Sequence, residues 1–101
     1  MAKGYWIARV TVTDPERYKG YTEANAAAFK KFGGRFLVRG GKSEAVIGEG
    51  RDRNVVIEFA DYETALACFH SPEYQHAVEV RGDSAEVDLV VVEGYDGPQP
   101  S

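Results

Sequence analysis

The sequence predicts an α+β fold in which one four-stranded antiparallel sheet carries its helices on a single face. Four segments are rich in β-branched and aromatic residues, and two regions have apolar residues at helical spacing. These segments follow one another in the order strand, helix, strand, strand, helix, strand. The chain has 101 residues, which is the size of one domain. We assign residues 1–95 to that domain.

The first strand and the first helix are predicted from composition and capping. Tyr5–Val12 is rich in β-branched and aromatic residues, which favours a strand. Asp14 and Pro15 then supply a helix cap followed by proline at the first helical position. Apolar residues recur at three- and four-residue steps from Tyr18 to Phe32, which is typical of one face of a single helix. Gly33-Gly34 ends that helix, because glycine accepts the left-handed conformation found at helix C-termini.

The second and third strands are joined by a long connection. Arg35–Arg39 is the second strand, and Gly40-Gly41 breaks it. We expect a loosely structured stretch from Lys42 to Arg53. The third strand is predicted over Asn54–Phe59, where valine, isoleucine and phenylalanine dominate.

The second helical region contains a predicted break. Asp61 caps the first of its helices, and Ser71-Pro72 repeats the signal of a cap followed by proline. A new helix therefore begins there and runs to about Arg81, before Gly82. The last strand is predicted over Val87–Tyr95. Residues 96–101 are polar and rich in proline, so we expect a disordered tail. This order of elements is that of the ferredoxin-like fold.

The strands are apolar on both faces, whereas helices can cover only one. A sheet with one face in water normally alternates apolar and polar residues. A large exposed apolar patch is costly, so we expect the second face to meet the sheet of a second copy in a symmetric dimer. The runs that carry this argument are Trp6–Ala8, Phe36–Val38, Val55–Ile57 and Leu89–Val92.

Composition narrows the class of partner. The formal net charge is −4, which argues against a general binder of nucleic acids or anionic membranes. Cys68 is the only cysteine, so an internal disulfide is excluded, and one cysteine with two histidines at these spacings does not assemble a metal cluster. No apolar run approaches the roughly 20 residues that cross a bilayer. We expect a cytoplasmic homodimer that binds a small molecule and uses neither metal nor organic cofactor.

Ionisable residues inside the apolar strands are the first candidates for a site. Arg39 and Glu58 lie on strands that the topology makes neighbours, and we expect the two side chains to pair. A buried charge without a partner costs several kcal/mol, so such groups are either paired or functional. An arginine can bind a carboxylate or an enolate, and a carboxylate can accept a proton. The alternative is a structural ion pair that fixes strand register or dimer geometry.

Aromatic and histidine side chains supply the remaining candidates. Tyr18, Tyr21 and Tyr74 combine rigid apolar rings with hydroxyl donors and could line an aromatic pocket, although such residues also serve in cores and interfaces. His70 precedes the predicted helix break and is a candidate for proton transfer, because histidine is the usual side chain for that role near neutral pH. Ser71 is better explained as a helix cap than as a nucleophile, since no motif of a nucleophilic serine surrounds it.

Several sequence blocks together resemble the bacterial family called domain of unknown function 1330. The resemblance extends from about Gly4 to Gly94. It is carried by the blocks Phe32–Gly41, Val55–Phe59, Ser71–Gln75 and Val91–Gly94, and by Arg81.

This resemblance implies the dimeric α/β-barrel superfamily, in which two ferredoxin-like protomers pack sheet against sheet. Relatives include cofactor-free monooxygenases of aromatic polyketides, muconolactone isomerases and haem-dependent enzymes, with sites between the sheet and the helices. No histidine here matches a haem-ligand motif. The characteristic positions of the family fall on Arg39, Glu58, Ser71, Tyr74 and Arg81.

We therefore hypothesise a cofactor-independent enzyme of the isomerase, lyase or monooxygenase type that acts on a small anionic or aromatic metabolite. In this hypothesis Arg39, Glu58 and His70 are catalytic. The substrate is bound by Tyr18, Tyr21, Ser71, Tyr74 and Arg81. The alternatives are a non-catalytic small-molecule binder and a purely structural dimeric module.

Overall fold

A computed structural model describes residues 2–100 of the chain. It contains four strands and four helices. The strands are β1 (Gly4–Val12), β2 (Arg35–Arg39), β3 (Arg53–Phe59) and β4 (Ala85–Glu93). The helices are α1 (Pro15–Ala24), α2 (Ala26–Phe32), α3 (Tyr62–His70) and α4 (Pro72–Arg81).

The strands form one antiparallel sheet in the order β2-β3-β1-β4. β1 lies in the interior of the sheet, where it pairs with β3 on one side and with β4 on the other. This topology, with helices packed against the sheet, is the ferredoxin-like α+β fold, and the predicted fold class is confirmed.

The single helix expected from Tyr18 to Phe32 is in fact two helices, and that prediction is wrong. Asn25 separates them: its backbone N–H donates to the carbonyl of Tyr21, and its own carbonyl accepts from the N–H groups of Ala28 and Phe29. Asparagine is a weak helix former, which agrees with a break at this residue, although its side chain makes no capping hydrogen bond to α2. The apolar spacing continues through the break, so periodicity alone cannot detect it.

The break between α3 and α4 is confirmed at Ser71. The Oγ of this residue accepts a hydrogen bond from the N–H of Tyr74 at 3.1 Å and donates one to the carbonyl of Cys68 at 2.7 Å. Ser71 therefore satisfies backbone groups at the end of one helix and at the start of the next.

The last strand lies two residues earlier than predicted, so its predicted bounds are wrong. The ladder with β1 runs from Val12 opposite Ala85 to Gly4 opposite Glu93. Tyr95 lies beyond this ladder and is exposed. The disordered tail over residues 96–101 stays a prediction, and Ser101 lies outside the described residues.

Trp6 is the centre of the core between the sheet and the helices. Its indole packs edge-on against the rings of Phe29 and Tyr74, with ring centroids 5.3 and 4.8 Å away. Its Nε1 donates to the carbonyl of Ala65 at 2.8 Å, so the buried indole N–H has an acceptor. The ring contacts join β1 to α2 and α4, and the hydrogen bond joins it to α3.

The other face of the sheet is not covered by any described element. Large apolar side chains on this open face remain exposed: Ile7, Val38, Val90 and Val92. This agrees with the apolarity expected on both faces of the strands. Within residues 2–100, no helix is long and apolar enough to span a membrane.

A close backbone approach at Gly4 gives the first testable prediction. A Cβ added at Gly4 would collide with the carbonyl group of Asp61 and the Cα of Tyr62, which are backbone atoms and cannot rotate away. We expect Gly4→Ala to lower the free energy of unfolding by about 1–3 kcal/mol, the usual cost of overpacking. Urea denaturation measures this loss. Gly41→Ala is the matched control, because its added Cβ would meet no atom within 4 Å; equal losses for the two variants would contradict the prediction.

Candidate functional site

A cleft opens between the helices and the covered face of the sheet. The space inside it that a water molecule can enter measures about 40 Å³, and the unfilled space rises to about 520 Å³ when the open solvent at its mouth is counted. Its wall combines aromatic side chains from α1, α2, α4 and the sheet with small and aliphatic side chains, and Arg39 and Arg53 add two guanidinium groups. The aromatic residues lining the cleft are Trp6, Tyr18, Tyr21, Phe29, Phe36 and Tyr74.

Arg39 reaches this cleft because β2 contains a bulge. Phe36 pairs with Ile57 and Val38 pairs with Val56, so Leu37 is an extra residue with no partner in the ladder. An extra residue reverses the alternation of side chains beyond it. Arg39 therefore shares the face of Phe36, and its guanidinium lies 4.2 Å from the centroid of the Phe36 ring.

The predicted pairing of Arg39 with Glu58 is wrong. Glu58 lies opposite Arg35 in the register, on the open face of the sheet. There it accepts a hydrogen bond from the hydroxyl of Tyr5 at 3.3 Å, and the nearest Arg35 nitrogen is 4.0 Å from its carboxylate. The bulge at Leu37 separates the two expected partners by placing them on opposite faces.

Two of the predicted tyrosines form a buried pair at the inner end of the cleft. The hydroxyl oxygens of Tyr21 and Tyr74 are 2.7 Å apart. The guanidinium of Arg81 lies 4.9 Å from the centroid of the Tyr21 ring, and its Nη1 is 3.5 Å from the Tyr74 hydroxyl. Burial raises the pKa of Tyr21 above its ordinary value near 10.0, and the neighbouring Tyr74 raises it further. Tyr21 thus stays protonated at neutral pH, and its hydroxyl can donate a hydrogen bond or accept one but carries no negative charge.

The third predicted tyrosine lies nearer the mouth of the cleft. Burial, followed by the effect of Tyr21, raises the pKa of Tyr18 as well, and the guanidinium of Arg53 opposes this shift. The carbon of that guanidinium lies 5.7 Å from the centroid of the Tyr18 ring. Tyr18 therefore lies between the aromatic wall of the cleft and the arginine at its mouth.

The structure does not bring Ser71 or His70 to the cleft wall. Ser71 is buried, and its hydroxyl is engaged in capping the two helices. His70 is exposed at the end of α3, where its ring packs edge-on against Phe69 with centroids 5.2 Å apart. Of the predicted site residues, the cleft gathers Tyr18, Tyr21, Arg39 and Tyr74, with Arg81 behind the tyrosine pair.

Arg53 belongs to the cleft, although sequence reasoning placed it at the end of a loop. It is the first residue of β3 and lies two residues before Val55, so both side chains point to the covered face. The alternation of side chains in the strand, counted back from the apolar Val55 and Ile57, could have placed Arg53 on the covered face. The neighbouring residues Arg51 and Asp52, which are typical of a solvated loop, concealed it.

The cleft is positively charged and contains no ordinary proton acceptor. Among the described residues, no aspartate, glutamate or histidine lines it. No carboxylate in residues 2–100 lies within 4.0 Å of Arg39 or Arg53. In the same range, no group of three or more His, Cys, Asp or Glu residues could hold a metal ion. The arrangement can therefore bind an anion and donate hydrogen bonds to it.

Comparison with known proteins identifies the family and confirms the fold class. A family model described as a domain of unknown function (DUF1330) matches residues 3–95. No curated protein matches the chain. The RPA0582 protein of unknown function from Rhodopseudomonas palustris is 18% identical, with a TM-score of 0.75 over 95% of this chain and 85% of that one.

A second solved structure carries a named activity. SnoaB, a cofactor-independent oxygenase from Streptomyces nogalater, is 14% identical, with a TM-score of 0.62 over 99% of this chain and 97% of its own. Identities this low establish the fold alone. Both structures share the ferredoxin-like α+β fold of this chain, and its pairing as a dimeric α/β barrel stays a prediction.

The buried tyrosine pair predicts a specific loss of stability in alkali. Because the pKa of Tyr21 is raised in the folded state, the unfolded chain loses this proton first, above about pH 10. Stability from this group is complete below that pH and falls as pH rises. We expect the unfolding free energy of the wild type to fall more steeply above about pH 10 than that of Tyr21→Phe, measured by urea denaturation from about pH 8 to pH 11. Parallel curves would show that Tyr21 ionises equally in both states.

Proposed function

The chain belongs to the family described as a domain of unknown function (DUF1330). We propose that it is a cofactor-independent enzyme acting on a small anionic aromatic metabolite. The single observation that carries the proposal is the cleft itself. It combines a wall of aromatic rings with two guanidinium groups that have no carboxylate partner among residues 2–100.

Recognition follows from these two kinds of surface. Arg39 is exposed, lies over the ring of Phe36 and offers a planar fork of donors to a carboxylate or an enolate. The rings of Trp6, Phe29 and Tyr18 offer flat apolar area to an aromatic substrate. An anion entering this partly dry cleft gains more from a guanidinium than it would in water.

The chemistry that suits this cleft is one in which the ionised substrate itself is the electron donor. No aspartate, glutamate or histidine among the described residues lines the wall, and the buried hydroxyl of Tyr21 has a raised pKa and stays protonated at neutral pH. A substrate that ionises to an enolate needs only stabilisation of that anion by Arg39. This favours the monooxygenase type over an isomerase or lyase that depends on a side-chain base, and its oxidant is dioxygen, as SnoaB's description as a cofactor-independent oxygenase suggests by analogy.

The proposed reaction balances without a cofactor. The enolate carbon of an activated methylene transfers electrons to dioxygen and forms a carbon–oxygen bond, which gives a hydroperoxide after protonation. The oxygen–oxygen bond then breaks as the second hydrogen leaves the carbon. The products are a carbonyl group on the former methylene carbon and one molecule of water.

The open sheet face supports the second part of the proposal, a homodimer. Ile7, Val90 and Val92 are exposed on the neighbouring strands β1 and β4, and Val38 is exposed on the same face of the edge strand β2. A second copy can cover such a patch through a two-fold interface in which the same surface serves both protomers. The cleft lies on the opposite side of the sheet, so each protomer keeps its own site.

Loss of Arg39 should remove binding of aromatic acids. We expect Arg39→Ala to weaken the binding of benzoate-type and enolisable aromatic acids by about tenfold to a hundredfold, because a charged hydrogen bond contributes about 1.5–3 kcal/mol. Isothermal titration and thermal shift measure this change. Arg35→Ala is the matched control, since Arg35 lies on the same strand but on the open face.

Three outcomes discriminate the candidate functions. Dioxygen consumption with a bound acid that carries an activated methylene supports the enzyme. Binding that needs Arg39 but gives no turnover with any enolisable acid supports the non-catalytic binder. If no acid binds, and Arg39→Ala only lowers the melting temperature, the residue is structural and the proposed function is wrong.

A charge placed on the open face should dissociate the dimer. We expect the wild type to sediment as a dimer at micromolar concentration, and Val90→Glu to sediment as a monomer because a buried unpaired carboxylate is costly. Val46→Glu is the control: Val46 is also apolar and 80% exposed, but it lies in the loop between β2 and β3. A monomeric wild type would overturn the dimer.

A further inference from the structure

Arg53 is placed beside Arg39 by the register of the sheet. Arg39 lies opposite Val55 in the β2–β3 ladder, and Arg53 precedes Val55 by two residues on the same face. The two arginines are therefore diagonal neighbours across adjacent strands, a relation that places Cα atoms about 7–8 Å apart. Both side chains line the cleft and also a shallow depression that continues from its mouth.

One donor of the Arg53 guanidinium, its Nε, lacks an acceptor in residues 2–100. Its Nε is buried and has no hydrogen-bond partner among the described residues. A buried donor without an acceptor costs about 1–3 kcal/mol, so one is expected to be satisfied when the site is in use. Arg51, two residues earlier, is the contrast: it donates to Thr11, Glu86 and Asp88 on the open face.

Gly40 provides the space in which this guanidinium lies. A Cβ at Gly40 would come within 2.5 Å of Nη1 of Arg53. The residue also has a positive φ of 68° and donates its N–H to the carbonyl of Asn54 at 2.8 Å. Any other residue at position 40 would push the Arg53 side chain away, so the turn after β2 holds the second guanidinium at the cleft mouth.

Two neighbouring cations without carboxylate partners repel each other unless a ligand neutralises both. The mouth holds Lys19 as a third cation, and no acidic residue among those described lines it. We propose that the cleft takes an aromatic dianion with two adjacent acidic groups, of which Arg39 binds one and Arg53 the other. This inference rests on the proposed function and narrows its substrate class from aromatic anions to aromatic dianions.

Benzoate, phthalate and terephthalate are suitable probes, because they share one ring and differ in the number and spacing of carboxylates. All are fully ionised at about pH 8. We expect titration calorimetry to give at least about tenfold tighter binding of phthalate than of benzoate by the wild type. Terephthalate, whose carboxylates lie at opposite ends of the ring, should resemble benzoate because it cannot reach both arginines.

Variants assign the preference to Arg53. Arg53→Ala should bind phthalate and benzoate with similar affinity, while Arg53→Lys should keep part of the preference, since it retains the charge and loses the fork. Arg51→Ala should keep the full preference. Wild-type protein alone tests the central point, so a poorly folded variant does not decide the outcome.

Two failures are distinguishable. If none of the three acids binds, the proposed function fails and this inference fails with it. If benzoate and phthalate bind equally to the wild type, or if Arg53→Ala weakens both by the same factor, the proposed function stands and the two-arginine site is overturned.

Discussion

Side chains in a β-strand alternate between the two faces of the sheet, and Leu37 interrupts this alternation in the second strand. Without the extra residue, Arg35 and Arg39 would point to the same face. With it, Arg35 faces Glu58 on the open side, and Arg39 lies over Phe36 inside the cleft. The position of one unpaired residue in the ladder therefore decides which cation the site receives.

The two faces of the sheet carry different sets of charges. On the open face, Arg51 is held by Glu86 and Asp88, and Glu58 accepts from the Tyr5 hydroxyl. On the covered face, the cleft wall carries cations and aromatic rings but no carboxylate among the described residues. Arg51 is therefore neutralised within the chain, whereas Arg39 and Arg53 have no carboxylate within 4.0 Å in residues 2–100 and are available to a ligand.

The sequence predicts those features of the fold that depend on local chemistry. Ser71 followed by proline is recognised as a helix cap because the cap is made by its own hydroxyl and the next few backbone groups. Asn25 is missed because the apolar spacing continues across it and conceals the change of helix. The tyrosines are identified as a site by residue type, and their meeting at 2.7 Å depends on the packing of α1 against α4.

The charged part of the site lies beyond local prediction for a different reason. Leu37 has no property that marks a bulge, so the strand pattern assigns Arg39 to the wrong face and gives it the wrong partner. Arg53 is charged and follows other charged residues, so the sequence suggests a loop, but the residue is part of a strand. Only the pairing of β3 with its neighbouring strands shows this. Both errors concern register, which is set by contacts between segments distant in sequence. The same register brings Arg39 and Arg53 together. The charge of the cleft therefore depends on strand pairing, which the sequence of one strand does not determine.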